Sequence, residues 1–138
     1  MSTDANQVSQ ETRSIKIITI DDEAPIRYLI RHSLRGENYE IFEAGNGKEG
    51  LEVIRQHKPD LVVLDVVMPE MNGYETLQAI RSDSSLAATP VLLLTGSKDK
   101  ERLEQLSQSP HTDYLAKPFM IKVLKDRVNK LINALQPS

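Results

Sequence analysis

Four places in this sequence carry side chains suited to charge chemistry, and each follows directly on a short apolar run. Asp21 and Asp22, with Glu23 next to them, follow the run 15–20. Asp65 follows 61–64, Thr95-Gly96 follows 91–94, and Lys117-Pro118 follows 113–116. If the runs are neighbouring strands, three carboxylates, a hydroxyl and an ammonium converge on one rim. Carboxylates so close repel by roughly 4 kcal/mol per pair at ~4 Å and an effective dielectric of ~20. Such a cluster needs a proton or a cation. Oxygen-only ligands with space for water suit Mg²⁺, a hard octahedral ion, with Mn²⁺ as an alternative. Lys117 supplies a second positive charge. A metal and an ammonium facing a carboxylate make a phosphoryl-transfer set, in which the cations neutralise equatorial oxygens while the carboxylate attacks in line.

Each of these residues has an ordinary explanation when taken singly. Asp21-Asp22 would cap the helix that follows. Asp65 would close a loop, Thr95 would sit in a turn, and Lys117 would be a surface charge. Tyr114 reads as half-buried sheet packing. All these explanations would have to hold at once, at four strand ends, and that joint improbability favours a site.

The elements that must position these residues are legible as two alternating patterns. Short β-branched or apolar runs occupy 15–20, 40–43, 61–64, 91–94 and 113–116. Three of them are nearly continuous in apolar character, as expected of strands covered on both faces. Amphipathic segments lie between them. The first starts near Pro25, carries Ile26, Leu29, Ile30 and Leu34, and ends at Gly36. The second runs from an Asn46 cap through Leu51 and Ile54 and stops before Pro59. A third follows Asn72-Gly73 with Leu77 and Ile80. A fourth spans 98–109 with Leu103 and Leu106 inward. The fifth carries Ile121, Leu124, Val128, Leu131, Ile132 and Leu135 as its core stripe. Five strand–helix units of this kind imply an α/β fold with a five-stranded parallel sheet, doubly wound, with helices on both faces. In such sheets ligands bind outside the carboxyl ends of the strands.

Composition sets outer bounds. The chain has 138 residues, 39% hydrophobic and 27% charged, which suits one globular domain. Its 17 Lys+Arg against 20 Asp+Glu give a net charge of −3, which argues against direct contact with nucleic acid. Cysteine is absent, so thiolate chemistry and disulfides are excluded. Residues 1–14 read as a flexible polar tail without a secretory signal, and 15–138 as one domain. No apolar run approaches the roughly 20 residues of a membrane span. The expectation is a cytoplasmic protein with no membrane partner.

Four stretches then make the sequence recognisable: Ile20-Asp21-Asp22-Glu23; Asp60-Leu61-Val62-Val63-Leu64-Asp65-Val66-Val67-Met68-Pro69-Glu70-Met71-Asn72-Gly73; Leu94-Thr95-Gly96; and Asp113-Tyr114-Leu115-Ala116-Lys117-Pro118-Phe119. In order and spacing they resemble the receiver domain of two-component response regulators, of the chemotaxis-regulator kind, over about 15–135. The resemblance implies a flavodoxin-like (βα)5 three-layer sandwich. It implies Asp65 as phosphoacceptor and Asp21 and Asp22 as the acidic pair serving Mg²⁺, Asp22 directly and Asp21 through water. It adds Asp65 itself and the backbone carbonyl of Val67 as further Mg²⁺ ligands. Thr95 would hydrogen-bond the aspartyl phosphate, Lys117 would pair with another phosphate oxygen, and Tyr114 would reorient with Thr95. Lys117-Pro118 matches a peptide bond that is cis in this family.

The implied function is a phosphorelay switch rather than an enzyme in the usual sense. It would take its phosphoryl group from a sensor histidine kinase or histidine phosphotransfer protein. It would then alter the face formed by the fourth helix, fifth strand and fifth helix toward a downstream protein partner or effector domain, or toward a phosphorylation-dependent homodimer. Lys122, Lys125, Arg127 and Lys130, with Asp126, lie on the fifth helix, either as a solvated face or as a docking surface. Two features depart from the family. Ser109-Pro110-His111-Thr112 replaces the small residues usual before the fifth strand, with His111 on the rim opposite the acids. Val67, two residues after Asp65, is apolar and β-branched and should not assist an attacking water; with Ser97 near the other side of the site, self-dephosphorylation should be slow. His32 and His57 are expected on helix surfaces. One competing reading is a phosphorylation-independent protein-interaction module, a pseudo-receiver. Another is a small nucleotide- or flavin-binding domain, disfavoured because no P-loop or Gly-x-Gly-x-x-Gly follows any strand.

Overall fold

The β-branched runs form strands because both of their faces are covered, and the amphipathic segments supply the cover. A computed structural model describes residues 14–66, 72–96 and 111–134. In chain order these contain β1 (Ile15–Ile20), α1 (Ala24–Ser33), β2 (Tyr39–Ala44), α2 (Gly47–His57), β3 (Leu61–Asp65), α3 (Gly73–Ser82), β4 (Val91–Thr95), β5 (Thr112–Ala116) and α4 (Ile121–Asn133). The strands form one parallel sheet in the order β2-β1-β3-β4-β5. This is the doubly wound, flavodoxin-like order, whose reversal lies beside β1 and β3.

Side chains alternate across the sheet and build two cores. Ile18 and Ile20 of β1, Val62 and Leu64 of β3, and Val91 and Leu93 of β4 pack with Leu51 and Ile54 of α2 and Leu77 and Ile80 of α3. On the other face Ile17, Leu61, Val63, Leu92 and Leu94 pack with Ile30 of α1 and with Leu124, Val128 and Ile132 of α4. Every residue of β3 and of β4 is buried. The sheet is therefore the middle of three layers, as the strand pattern implied.

Helix ends follow local chemistry. The Asn46 side chain accepts from the Glu49 backbone N–H at 2.8 Å and starts α2. Asn72 and Glu75 form a reciprocal capping box at the start of α3. Pro25 lies in the first turn of α1, and Gly36 takes a positive φ of 89° in the turn after that helix. Three details differ from expectation. The strands β2 to β5 each extend one residue or so beyond the apolar runs, because ladder pairing continues where hydropathy stops. Ile121 is 45% exposed rather than core, as is Met120 before it at 70%, and burial along α4 begins only with Leu124. His57 is half-buried, its ring stacked on Phe42 at 3.9 Å. The predicted fourth helix at 98–109, Leu135 and the tail up to residue 13 lie outside the described residues.

Candidate functional site

The carboxyl ends of β1 and β3 are adjacent, with Ile20 paired to Leu64, so the residues just beyond them meet. Asp21, Asp22 and Asp65 each offer a carboxylate oxygen, and these oxygens lie within 4.8 Å of one another. Asp21 is fully buried and Asp65 is 4% exposed, whereas Asp22 opens to solvent. Lys117, just past β5, brings its Nζ to 3.1 Å from Asp65 Oδ1 and 3.3 Å from Asp21 Oδ2. The Lys117–Pro118 peptide bond is cis. The Lys117 backbone N–H donates to the Thr95 carbonyl at 2.6 Å, which ties the end of β5 to the end of β4.

The electrostatics of this cluster are those of a strongly coupled group. Burial alone would push the Lys117 ammonium down. The charges of Asp21 and Asp65, with the hydrogen bonds both accept, outweigh that and hold it above its ordinary value. Lys117 is thus a permanent cation at neutral pH, facing two carboxylates almost removed from water. The third carboxylate, Asp22, stays accessible. An all-oxygen donor set with one open, solvated edge fits a hard divalent ion that keeps several of its waters. Asp21, Asp22 and Asp65 are the side chains that would hold Mg²⁺.

Thr95 ends β4, buried, one step beyond Leu94, the partner of Asp65 across the ladder. Tyr114 is half-buried and packs against the core cluster on the α2–α3 face. It pairs with Leu93, two residues before Thr95, so Tyr114 and Thr95 lie on the same side of the sheet. Val67, expected to offer its carbonyl, lies outside the described residues, as does Ser97. His111 precedes β5, and its carbonyl accepts from the N–H of Val91, the first residue of β4. It therefore sits on the rim opposite the carboxylates, as expected.

Two further residues shape the site and were not singled out from the sequence. Gly73 opens α3 and donates its N–H to the Val66 carbonyl at 2.9 Å. A Cβ at this position would lie 2.4 Å from the Asp65 carbonyl oxygen and 2.6 Å from Val66 Cα, so only glycine lets α3 approach the Asp65 backbone. Arg27, one turn into α1, donates from Nη1 to the Asp21 carbonyl at 2.6 Å and from Nε to Glu43 at 3.1 Å. In the sequence, Asn72-Gly73 read only as a helix start. Arg27 read as one more charge on an amphipathic helix.

Comparison with known proteins agrees with the geometry. Residues 17–129 match the family model described as the response regulator receiver domain. A probable transcriptional regulator, ycf27, from Pyropia yezoensis is 37% identical over 123 residues, covering 88% of this chain and 49% of the relative. The DNA-binding response regulator MtrA of Mycobacterium tuberculosis strain H37Rv is 34% identical over 118 residues, covering 86% and 50%. The chain thus spans about half the length of these curated relatives. Among solved structures, the receiver domain of Francisella response regulator 1452 superposes with a TM-score of 0.80 at 30% identity, covering 89% of this chain and 100% of that one. The chemotaxis protein CheY4 of Vibrio cholerae gives 0.76 at 30% identity, covering 86% and 98%. Among the described residues, no helix is long and apolar enough to cross a membrane.

Proposed function

The chain belongs to the response regulator receiver domain family of two-component systems, and on that premise we propose that it is a phosphoacceptor switch whose Asp65 takes a phosphoryl group in a Mg²⁺-dependent reaction. The observation that carries the reading is the pairing of Lys117 Nζ with Asp65 Oδ1 at 3.1 Å inside a cluster of three aspartates.

The donor is a phosphohistidine of a sensor histidine kinase or histidine phosphotransfer protein. An Asp65 oxygen attacks phosphorus in line, forming the acyl-phosphate P–O bond as the P–N bond to the donor imidazole breaks. The imidazole leaves with the bonding electron pair and takes up a proton. Asp22 and Asp65 directly, Asp21 through water and the backbone carbonyl of Val67 would hold Mg²⁺, which would supply positive charge against the incoming phosphoryl group. Lys117 exchanges its contact with Asp65 for a phosphoryl oxygen, so the incoming charge meets a cation already in place. Asp21 keeps hold of Lys117 through that exchange. Thr95 donates its hydroxyl to a further phosphoryl oxygen, and its movement is coupled to Tyr114 on the same sheet face. Val67, two residues after Asp65 in the sequence, has an apolar side chain that gives an attacking water no help, so hydrolysis of the acyl phosphate is slow.

The names of the relatives favour a DNA-binding output, in cis or in trans, as the controlled partner. The net charge of −3 is that of these 138 residues and does not exclude a DNA-binding output. The phosphorylation-independent module is the competing outcome of the test. Incubation with a small phosphodonor and Mg²⁺ followed by intact-mass measurement should show one added phosphoryl group. That gain should vanish in Asp65→Asn and in EDTA. An unchanged wild-type mass, with no response to beryllofluoride, would favour the interaction module.

A further inference from the structure

Asp21 is held at every polar atom. Its N–H donates to the Ala44 carbonyl at 3.1 Å, and its carbonyl accepts from Arg27 Nη1 at 2.6 Å. Its Oδ1 accepts from the Glu23 N–H at 2.9 Å, and its Oδ2 accepts from Lys117 Nζ at 3.3 Å. Asp22, by contrast, is exposed, and its direction is set by the backbone it hangs from. The Asp21 carbonyl and the Asp22 nitrogen share one rigid peptide plane. Whatever holds that carbonyl holds the plane, and with it the direction in which the Asp22 carboxylate leaves the chain.

Arg27 is itself fixed. Its Nε is paired with Glu43 Oε1 at 3.1 Å, while Glu43 Oε2 takes Arg31 Nη1 at 3.0 Å. Glu43 lies on β2, the edge strand, paired with Thr19 two residues before Asp21. The planar guanidinium is therefore gripped at Nε by a strand carboxylate, which aims Nη1 at the Asp21 carbonyl. This is the geometry a fork-shaped cation provides and a lysine does not.

We infer that Arg27, held by Glu43, is a positioning residue for the divalent cation. It orients the Asp21–Asp22 peptide and so sets the affinity of the acidic cluster for Mg²⁺. The inference rests on the proposed Mg²⁺-dependent function. Its sign separates it from simple electrostatics. A cation hydrogen-bonded to Asp21 repels Mg²⁺, so on charge alone its removal should tighten Mg²⁺ binding. If Arg27 positions the ligands, its removal should weaken binding despite the lost repulsion.

The test is Mg²⁺ titration by calorimetry without phosphodonor, on wild type, Arg27→Ala, Arg27→Lys, Glu43→Gln and Arg31→Ala. Each variant is first shown folded by urea denaturation. Arg27→Ala should weaken Mg²⁺ binding by about tenfold, in the range seen when residues supporting a metal ligand are removed. Arg27→Lys keeps the charge and should also weaken binding, because a single ammonium nitrogen cannot occupy both the Nε position that reaches Glu43 and the Nη1 position that reaches the Asp21 carbonyl. Glu43→Gln should weaken binding less, and Arg31→Ala should leave it unchanged. Should Arg27→Ala fail to fold, Arg27→Lys alone decides the matter. Tighter or unchanged binding in the Arg27 variants, with normal binding by wild type, overturns this inference alone. Absence of Mg²⁺ binding by wild type overturns the functional reading, and the inference with it.

Discussion

The two ends of the sheet each hold a half-buried cation, and they treat it in opposite ways. At the carboxyl ends Lys117 faces two carboxylates, Asp21 and Asp65, and its affinity for the proton is raised. At the amino ends Arg81, from the last turn of α3, meets neutral acceptors. It donates to the carbonyls of Ala87 at 3.0 Å, Thr89 at 2.6 Å and His111 at 3.1 Å, and to the Thr112 hydroxyl at 2.7 Å. Burial pushes its proton affinity down. Among the described residues its Nε has no hydrogen-bond partner. One cation is balanced by charges that another ion or a phosphoryl group can claim. The other is balanced by fixed dipoles that nothing mobile replaces. The first end can respond to a ligand, while the second is a clamp joining α3, the approach to β4 and the start of β5.

That contrast is best broken by removing each cation in turn. Lys117→Ala leaves two buried carboxylates facing each other and should cost about 3 kcal/mol in urea unfolding in EDTA. Saturating Mg²⁺ should restore much of it, since the ion binds the folded state alone and contributes about 2.7 kcal/mol at 100-fold over its dissociation constant. Arg81→Ala should cost about 2 kcal/mol through unsatisfied carbonyls, and Mg²⁺ should stabilise it no more than it stabilises wild type. Equal rescue of both variants would erase the distinction between the two ends.

The comparison extends to pH. Lys117 has its proton affinity raised in the fold, so its contribution is fully present below the unfolded value of about 10.5 and is lost as pH rises through the higher folded value. Denaturant midpoints of wild type should therefore fall above pH 10.5 more steeply than those of Lys117→Met. Two smaller effects sharpen the picture at the start of α3. Gly73→Ala should cost about 2 kcal/mol and also reduce Mg²⁺ affinity, because the new methyl group meets the Asp65 backbone. Asn72→Ala, one residue earlier, should cost only about 1 kcal/mol through the lost cap and leave Mg²⁺ affinity nearly intact.

Legibility in the sequence followed the same division. Strand ends were readable because an apolar run that stops at an aspartate, a threonine or a lysine marks both the strand and its rim. Asp21, Asp22, Asp65 and Lys117 came together on those grounds. Arg27 and Arg81 were not readable. An arginine on an amphipathic helix has the same pattern whether it faces water or reaches a carbonyl on a neighbouring element. Gly73 was legible as a helix start but not as a contact, since what its missing Cβ avoids comes from another part of the chain. Ile121 fitted the 3.6-residue stripe yet is exposed, because periodicity reports which side of a helix faces inward and not where along the helix burial begins.

The central claim is that Asp65 is the residue that accepts the phosphoryl group. Its most direct test is borohydride treatment of protein incubated with Mg²⁺ and a small phosphodonor, followed by peptide mapping. Reduction of an aspartyl phosphate yields homoserine. The expected result is homoserine at position 65 alone, absent without phosphodonor and absent in EDTA. Homoserine at position 21 or 22, or none at all from wild type, would contradict it.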